Sequence, residues 1–548
     1  MNRTSTMDRR SVLKAGAVIG GMAATFGDPL HALGYTGTSR KLAAQQAGVA
    51  NLFMSSSPDT FLPHYSIGAY SRFIGTLIFP RLMRYSEEAE VIPYLAESYE
   101  LSDDALTYTF HLTPGAVWSD GTPLTANDVA WTYTMAFHGD YTGTRQVEAP
   151  VKGGDVYRSG EAETVEGIVV VDDTTIQFTL DTPTSSFVEN VAQFFWILPA
   201  HAFDGIEIID IAQSEMARTP TVTAGPLTFV KYETDQYVEL AANPDFILGA
   251  PQIQSFIVKI LRNDVALAQF ETGELDATTK VGVMLPQDVE KLESLGLEVT
   301  PVPGSALQSM GINNAREYFA DKRVRQALAH AIDRQAIIDA LLMGYGQILN
   351  AKVPTFSPYY NPETEGLLQY DPDLAKQLLE EAGWDFDRQI SLFVPTGNVT
   401  RERSGPIIQQ YLQAVGIKVE IETMEFATQS ERVDAGEADL WLVGSSFVTF
   451  DPDQTSSFHS ESLPPSGWNS WHWSNAEADQ AMEDGLAATT FEERKEANDR
   501  LQMIMADDVP AVFLYHPEDI HVISKRLVNA KPTSVGIEWN IQEWQLSQ

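Results

Sequence analysis

Stretches in which apolar and polar residues alternate recur along the chain, and this period of two predicts half-buried β-strands. Tyr108, Phe110 and Leu112 alternate with polar neighbours, and the run 176–180 repeats the pattern. The run 49–54 is short and mostly apolar, and a serine-rich stretch follows it. We therefore predict strands at these three places.

Between the predicted strands, capping residues followed by a helical spacing of apolar positions predict α-helices. Thr125, with Asp128 three residues later, has the form of a capping box. Asp371 is a predicted N-cap because Pro372 suits the first helical turn, and Gly383 is the predicted helix stop. Strands and helices that alternate in this way indicate an α/β fold.

One longer helix is predicted after Asp321, because apolar residues lie roughly along one helical face as far as Gly344. These apolar residues are Val324, Leu328, Ile332, Ile338 and Leu341. Two other segments lack a regular period and are predicted to be long loops. The segment 350–369 is rich in Pro, Tyr, Asn and Thr, and the segment 458–475 is rich in aromatic residues.

The composition is that of a globular protein with more than one hydrophobic core. The chain has 548 residues, 44% hydrophobic and 20% charged, and this length allows about three domains. The net charge of −39 repels nucleic acid and anionic lipid, so neither is an expected partner. Because the chain has no cysteine, disulfides, thiolate metal sites and cysteine nucleophiles are excluded.

The N-terminus predicts an export signal. Arg9 and Arg10 form a basic region ahead of the small and apolar run 15–26, which is too short to span a bilayer. The arginine pair resembles a twin-arginine signal, which implies the twin-arginine export machinery as a partner. We expect residues 1–44 to be the signal peptide and its linker. The mature protein is then expected to be soluble and periplasmic, without the lipid anchor that a cysteine would carry.

Several segments in collinear order resemble one family, and the most recognisable is the run 118–129, WSDGTPLTANDV, preceded by the run 93–112. Further matching segments are 225–226, 243–246, 270–276, 321–334, 371–383, 416–420 and 451–453. Together they cover about residues 49–530 and resemble the extracytoplasmic solute-binding proteins of family 5. That family includes the dipeptide-, oligopeptide- and nickel-binding proteins of bacterial ABC importers.

This resemblance implies an α/β fold of periplasmic binding protein type II, with two lobes, a hinge and an additional subdomain on lobe I. It implies a small-molecule solute captured by lobe closure, delivery to an ABC permease and ATPase complex in the membrane, and a monomer. Lobe I is expected at 45–90 and 191–304, the additional subdomain at 91–190, lobe II at 305–505, and a return to lobe I at 506–548.

The expected pocket departs from the pattern of the peptide-binding members, which hold the peptide's α-amino group with an Asp three positions before an acidic-Pro pair. Here that pair is Asp451-Pro452, and Val448 stands where the Asp is expected. A buried ammonium group against Val448 lacks a charge-assisted hydrogen bond of about 1.5–3 kcal/mol. This departure favours an oligosaccharide or another neutral polar solute over a di- or oligopeptide, and both classes remain open.

Aromatic and hydroxyl-bearing residues are the predicted ligand-binding residues, because they suit neutral polar solutes. Tyr65 and Tyr70 follow the first predicted strand, where the resemblance places the cleft wall. The other candidates follow the predicted strand 440–443 or lie in the aromatic loop: Ser445, Ser446, Phe447, Val448, Thr449, Phe450, Trp468, Asn469, Trp471 and Trp473. The alternative is that the three tryptophans belong to a hydrophobic core.

Three other classes of function are weighed against solute transport. The chain has no G-x-S-x-G, H-E-x-x-H, P-loop or G-x-G-x-x-G sequence, so we expect neither an enzyme nor a cofactor. A receptor for a metal or a metal chelate would use histidines such as His459 and His472, but a core or surface histidine is the commoner case. A chaperone or a sensor on the same fold is the third alternative.

Overall fold

A computed structural model of the chain describes residues 48–144, 147, 149–446 and 450–547. The predicted signal peptide with Arg9 and Arg10 lies outside the described residues, as do Phe447, Val448 and Thr449. None of the helices in the described ranges is long and apolar enough to cross a bilayer.

The first lobe is built from two four-stranded sheets around one large hydrophobic core. The elements in chain order, as far as the hinge, are β1 (Val49–Met54), α1 (Ala69–Ile78), β2 (Met83–Tyr85), β3 (Val91–Pro93), β4 (Ala96–Leu101), β5 (Thr107–Leu112), α2 (Ala126–Phe137), α3 (Gly154–Arg158), β6 (Ile168–Asp172), β7 (Thr175–Thr179), β8 (Leu227–Glu233), β9 (Tyr237–Ala242), β10 (Ser255–Ile260), α4 (Asn263–Thr272), α5 (Val289–Ser294) and β11 (Glu298–Pro303). One sheet has the order β1-β10-β9-β8, with β1 parallel to β10. The other, β4-β5-β7-β6, is antiparallel and contributes its buried residues to the same core.

The second lobe is built on a mixed sheet that helices cover. Its elements are β12 (Ala306–Ile312), α6 (Lys322–Ala331), α7 (Arg334–Leu342), β13 (Gly346–Gln347), α8 (Pro372–Glu381), β14 (Gln389–Pro395), α9 (Val399–Ala414), β15 (Lys418–Met424), α10 (Phe426–Asp434), β16 (Leu440–Ser446), α11 (Thr455–Phe458), α12 (Ala476–Ala487), α13 (Phe491–Asp508) and β17 (Ala511–Ile523). The strand order is β11-β17-β12-β16-β14-β15, and β13 pairs with β17. The chain then returns to the first core and ends with β18 (Leu527–Val528) and β19 (Gln545–Leu546).

Two extended segments connect the lobes and lie side by side. β11 leads through Gly304 and Ser305 into β12, while β17 pairs first with β12 and then with β11. The Gly304 N–H donates to the Pro517 carbonyl at 3.0 Å. A Cβ atom at Gly304 would lie 2.7 Å from that oxygen. Glycine is needed here because the two segments approach too closely for a side chain.

Most of the local predictions are confirmed. Strands occupy the runs predicted at β1, β5 and β7. The capping box of Thr125 and Asp128 begins α2. Asp371 caps α8, and Gly383, with φ of 70°, lies just beyond its end. Apart from one 3₁₀ turn at Pro362–Thr364, the segment 350–369 has no helix or strand.

The prediction of a single long helix after Asp321 is wrong. α6 ends at Ala331, Ile332 is extended with φ of −102° and ψ of 114°, and α7 begins at Arg334. The Asp333 carboxylate accepts the Ala336 N–H at 2.9 Å and so caps a new helix. The apolar residues on both helices share one core, and this explains why the helical spacing continues across the break.

Candidate ligand-binding cleft

A cavity of about 320 Å³ lies between the two lobes and is the candidate binding site. The first lobe supplies most of its wall. Ser305 from the hinge and Ser446 and Phe450 from the second lobe supply the remainder. The cavity therefore has the position at which closure of two lobes encloses a solute.

α1 and the segment after it bring three arginines to the cavity wall. Arg72 and Thr76 are one helical turn apart, as are Phe73 and Leu77, so these four residues lie on one side of α1. Arg81 and Arg84 follow the helix directly, and Arg84 lies on β2. The local chain order thus concentrates cationic side chains on one wall.

Arg81 is a partly buried cation of the cavity wall that forms no side-chain hydrogen bond or ion pair with a described residue. Its buried Nε atom has no hydrogen-bond partner, and no ion pair joins its guanidinium group to any other described residue. The group lies 5.7 Å from the centre of the Trp196 ring. Burial lowers the pKa of Arg81 to about 10, and the nearby Arg84 acts in the same direction. Arg81 therefore stays charged at neutral pH, with no carboxylate to balance it.

Arg84 and Arg72 also form no ion pair with a described residue, although burial, which lowers the pKa of Arg84, is opposed by the charge of the nearby Glu543. Arg84 Nη1 donates to the Trp539 carbonyl at 3.2 Å, whereas its buried Nε atom has no partner. Burial lowers the pKa of both arginines. Three guanidinium groups thus share a partly dehydrated wall.

Lys280 and Glu538 complete the set of charged residues at the cavity. Lys280 Nζ donates to the Ser534 carbonyl, and the Lys280 backbone N–H donates to Glu538 Oε2 at 3.3 Å. Burial raises the pKa of Glu538 to about 7, so this carboxyl group is partly protonated at neutral pH. It is the single acid in the described wall, against four basic residues.

Aromatic rings form much of the remaining wall, from Tyr85, Tyr94, Phe194, Trp196, Phe246, Phe450 and Trp539. The Phe450 N–H donates to the Tyr85 hydroxyl at 2.9 Å, and the two rings are 4.6 Å apart, so this pair joins the lobes. Gln193 Oε1 is buried without a partner. Ring faces with a few unpaired polar atoms suit a solute that has both apolar and polar parts.

Two of the predicted site residues, Ser446 and Phe450, lie in the cavity wall. Ser445 is exposed on β16 opposite Leu307 and lies outside this wall. Tyr70 and Tyr65 also lie outside the wall and pack against the first core. The Tyr70 hydroxyl is 2.9 Å from Ser55 Oγ, and the Tyr65 hydroxyl is 3.8 Å from Met135 Sδ.

The aromatic loop builds a second-lobe core and not the cavity wall. Trp473 is 2% exposed, and its Nε1 atom donates to Asp508 Oδ2 at 2.6 Å. The Trp471 ring stacks with Trp441 at 5.3 Å and with Phe458 at 5.5 Å. Trp471 and Trp473 therefore belong to a hydrophobic core, which was the alternative to a role in ligand binding.

The polar residues between these tryptophans stabilise the loop itself. Asn469 is fully buried, and its Nδ2 atom donates to the carbonyls of His459 at 3.0 Å and Trp473 at 2.8 Å. Trp468 is 76% exposed on the surface. An asparagine that donates hydrogen bonds to the carbonyls of its own loop cannot be distinguished by sequence from one that binds a solute. For this reason the loop was predicted to be part of the binding site.

The sequence interpretation missed the cationic wall. The sequence did contain a sign of this wall, because Arg72, Arg81 and Arg84 lie close together in a chain whose net charge is −39. Lys280 and Glu538 carried no such signal, because they come from segments distant in sequence. Only the fold brings them to α1.

A larger groove of about 960 Å³ lies on the second lobe beside α12 and α13. All its described lining residues come from that lobe, so lobe closure would not enclose a solute there. His459 and His472 belong to neither cavity. Within the described ranges, no three His, Asp or Glu side chains gather as ligands of a metal ion.

The sequence is similar to bacterial solute-binding proteins over most of its length. It is 29% identical over 520 residues to the oligopeptide-binding protein AppA of Bacillus subtilis, covering 92% of each chain. It is 27% identical over 497 residues to the di/tripeptide-binding protein 1 of Pseudomonas aeruginosa, covering 88% of this chain and 91% of that one.

The fold is similar as well. The structure of Bacillus subtilis AppA in complex with a nonapeptide matches with a TM-score of 0.71 and 26% identity, over 91% of this chain and 99% of that chain. The family model "Bacterial extracellular solute-binding proteins, family 5 Middle" matches residues 90–463, more than half of the chain. The chain therefore belongs to family 5 of the bacterial extracellular solute-binding proteins, the substrate-binding components of ABC importers.

Proposed function

We propose that the protein binds a short peptide in the cavity between its lobes and presents it, with the lobes closed, to an ABC permease. The observation that carries this proposal is the position of the cavity, whose wall takes residues from both lobes and from the hinge. A solute held there gains additional contacts when the lobes close, so it shifts the equilibrium towards the closed form.

The relatives support a peptide over other solutes, since two of them are named for oligopeptides and for di- and tripeptides. An oligosaccharide is the second candidate, because the rings of Trp196 and Trp539 would stack on sugar rings and Val448 replaces the expected amine anchor. The cationic wall weighs against a neutral sugar, which has no group to balance four basic side chains.

We also propose where the protein acts. The Arg9-Arg10 pair supports export through the twin-arginine machinery into the periplasm, and the absence of cysteine supports a protein without a lipid anchor. The family resemblance supports a monomer. The role is transport without catalysis. Growth on the identified solute, compared between cells with and without the gene, separates transport from a sensor or chaperone role.

A thermal-shift screen of residues 45–548 tests the solute class. The panel contains tripeptides, oligosaccharides, sugar phosphates and nickel chelates. A peptide at about 100 times its Kd adds roughly 2.7 kcal/mol to the free energy of unfolding, which raises the melting midpoint visibly. A panel in which only oligosaccharides raise the midpoint would contradict the peptide proposal.

Tryptophan fluorescence then tests the site. Trp539 lines the cavity, whereas Trp468 lies on the surface of the second lobe. We expect Trp539→Phe to reduce the ligand-induced change in emission and the matched variant Trp468→Phe to retain it. The opposite result would place the ligand outside this cavity.

A further inference from the structure

We propose that the cavity selects a solute that carries an anionic group, a carboxylate or a phosphate, and binds this group with Arg81 and Arg84. The inference rests on the proposed function, because it takes the cavity between the lobes as the solute site. The inference goes beyond the proposed function because it assigns a negative charge to the ligand and names the residues that bind the charged group.

The first support is the contrast between the cavity and the rest of the protein. The chain has 75 acidic and 36 basic residues, so an average surface carries about two acids for each base. In the cavity the ratio is reversed, with Arg72, Arg81, Arg84 and Lys280 against Glu538. A positive cavity in a negative protein concentrates anionic solutes and repels cationic ones.

The second support is the lack of partners. Surface arginines elsewhere pair with acids, as Arg323 does with Asp321 at 2.6 Å and Arg500 with Asp484 at 2.6 Å. The guanidinium groups of Arg81 and Arg84 form no ion pair with a described residue, and both Nε atoms are buried without a hydrogen bond. Buried donors without acceptors are costly, and an anionic ligand would supply the acceptors.

The third support is the type of residue. A guanidinium group presents its N–H donors in a planar fork that matches the two oxygens of a carboxylate or a phosphate. The Trp196 ring beside Arg81 restricts the fork on one side. Gln193 Oε1, also buried without a partner, is an acceptor on the same wall for a donor of the solute.

This charge pattern complements the departure at Val448. The expected carboxylate for a peptide's ammonium group is missing from that position, while unpaired cations line the wall. A solute would therefore be oriented by its negative end. For a peptide, that end is the C-terminal carboxylate.

Matched pairs of solutes that differ only in the anionic group test the inference. Isothermal titration would compare Ala-Ala-Ala with its C-terminal amide, and glucose 6-phosphate with glucose. We expect the charged member of a bound pair to bind about 10- to 100-fold more tightly, as charge-assisted hydrogen bonds imply. The peptide pair and the sugar pair distinguish a carboxylate source from a phosphate source.

Two cavity variants assign the preference to residues. Arg81→Gln and Arg84→Gln should each reduce the preference for the charged member to less than about threefold, since a neutral amide gives no charge-assisted bond. The matched control Arg323→Gln removes the same charge from a half-buried arginine of the second lobe, outside the cavity, and should keep the full preference. Circular dichroism checks that each variant is folded.

The outcomes separate the two proposals. Peptide acid and amide that bind equally well would overturn the anion site and leave the proposed function intact. If the wild-type protein binds charged solutes that are not peptides, and Arg81→Gln abolishes this binding, the anion site is supported and the peptide proposal is overturned.

If no member of the panel binds, a second experiment compares the melting midpoint with and without inorganic phosphate at matched ionic strength. A rise in the wild-type protein that Arg81→Gln abolishes supports the anion site, and an unchanged midpoint overturns it.

Discussion

Outside the cavity, Arg494 on α13 is a buried charge shared by the two lobes. Its Nη2 atom donates to both carboxylate oxygens of Asp451, at 2.8 and 2.7 Å, and Nη1 lies 3.9 Å from Glu189 of the first lobe. Burial, and after it the charge of Asp451, raises the pKa of Glu189 well above its usual value. The acidic-Pro pair that identified the family motif therefore also anchors a buried charge cluster.

We predict that Arg494→Met lowers the free energy of unfolding by about 3–5 kcal/mol, because it leaves Asp451 buried without a counter-charge. The matched control is Arg500→Met on the same helix, whose pair with Asp484 is exposed and should cost less than about 1 kcal/mol. Urea unfolding measures both variants. Equal losses in the two would refute the assignment.

At the scale of single elements, helix caps were readable from sequence because they act over three or four residues. At α8 the Asp371 carboxylate accepts the Leu374 N–H at 2.9 Å, and Pro372 occupies the first turn. The same mechanism at Asp333 was missed. There the helical spacing of apolar residues continued across the break between α6 and α7. This spacing predicted one continuous helix, although Asp333 is as good an N-cap residue as Asp371.

We predict that Asp371→Ala lowers the free energy of unfolding by about 1 kcal/mol through loss of the cap. Asp371 is exposed, so the substitution leaves no cavity. Asp371→Asn is the control, since asparagine caps helices about as well as aspartate. Equal destabilisation of the asparagine and alanine variants in urea unfolding would refute a capping role for Asp371.

At the scale of the whole molecule, the lobes touch away from the hinge. The Ser185 N–H donates to the Leu486 carbonyl at 3.0 Å, and Ser185 Oγ donates to the Gly485 carbonyl at 2.7 Å. The contact between Phe450 and Tyr85 also crosses between the lobes. We expect these contacts to separate when the lobes open, so they contribute to the closed form alone.

Ser185→Ala removes one of these hydrogen bonds without changing the cavity wall. A net loss of about 0.5–1.5 kcal/mol from the closed form corresponds to about 2- to 10-fold weaker solute binding. Titration calorimetry measures the affinity, and small-angle X-ray scattering measures the population of the closed form. Ser159→Ala, whose hydroxyl bonds to Val156 within the first lobe, should bind with wild-type affinity. Unchanged affinity in Ser185→Ala would show that this contact persists in the open form.

Sequence alone determined the α/β fold, most caps and strands, and the family, because these depend on local spacing and on collinear motifs. The predicted lobe boundaries and the solute class remain predictions. The interpretation failed where a residue's role depends on distant partners. Trp471 and Trp473 became core because Trp441, Phe458 and Asp508 meet them there. Only the tertiary structure set Lys280 and Glu538 beside the arginines of α1 and β2, since electrostatic environment depends on distance in space and not on position along the chain.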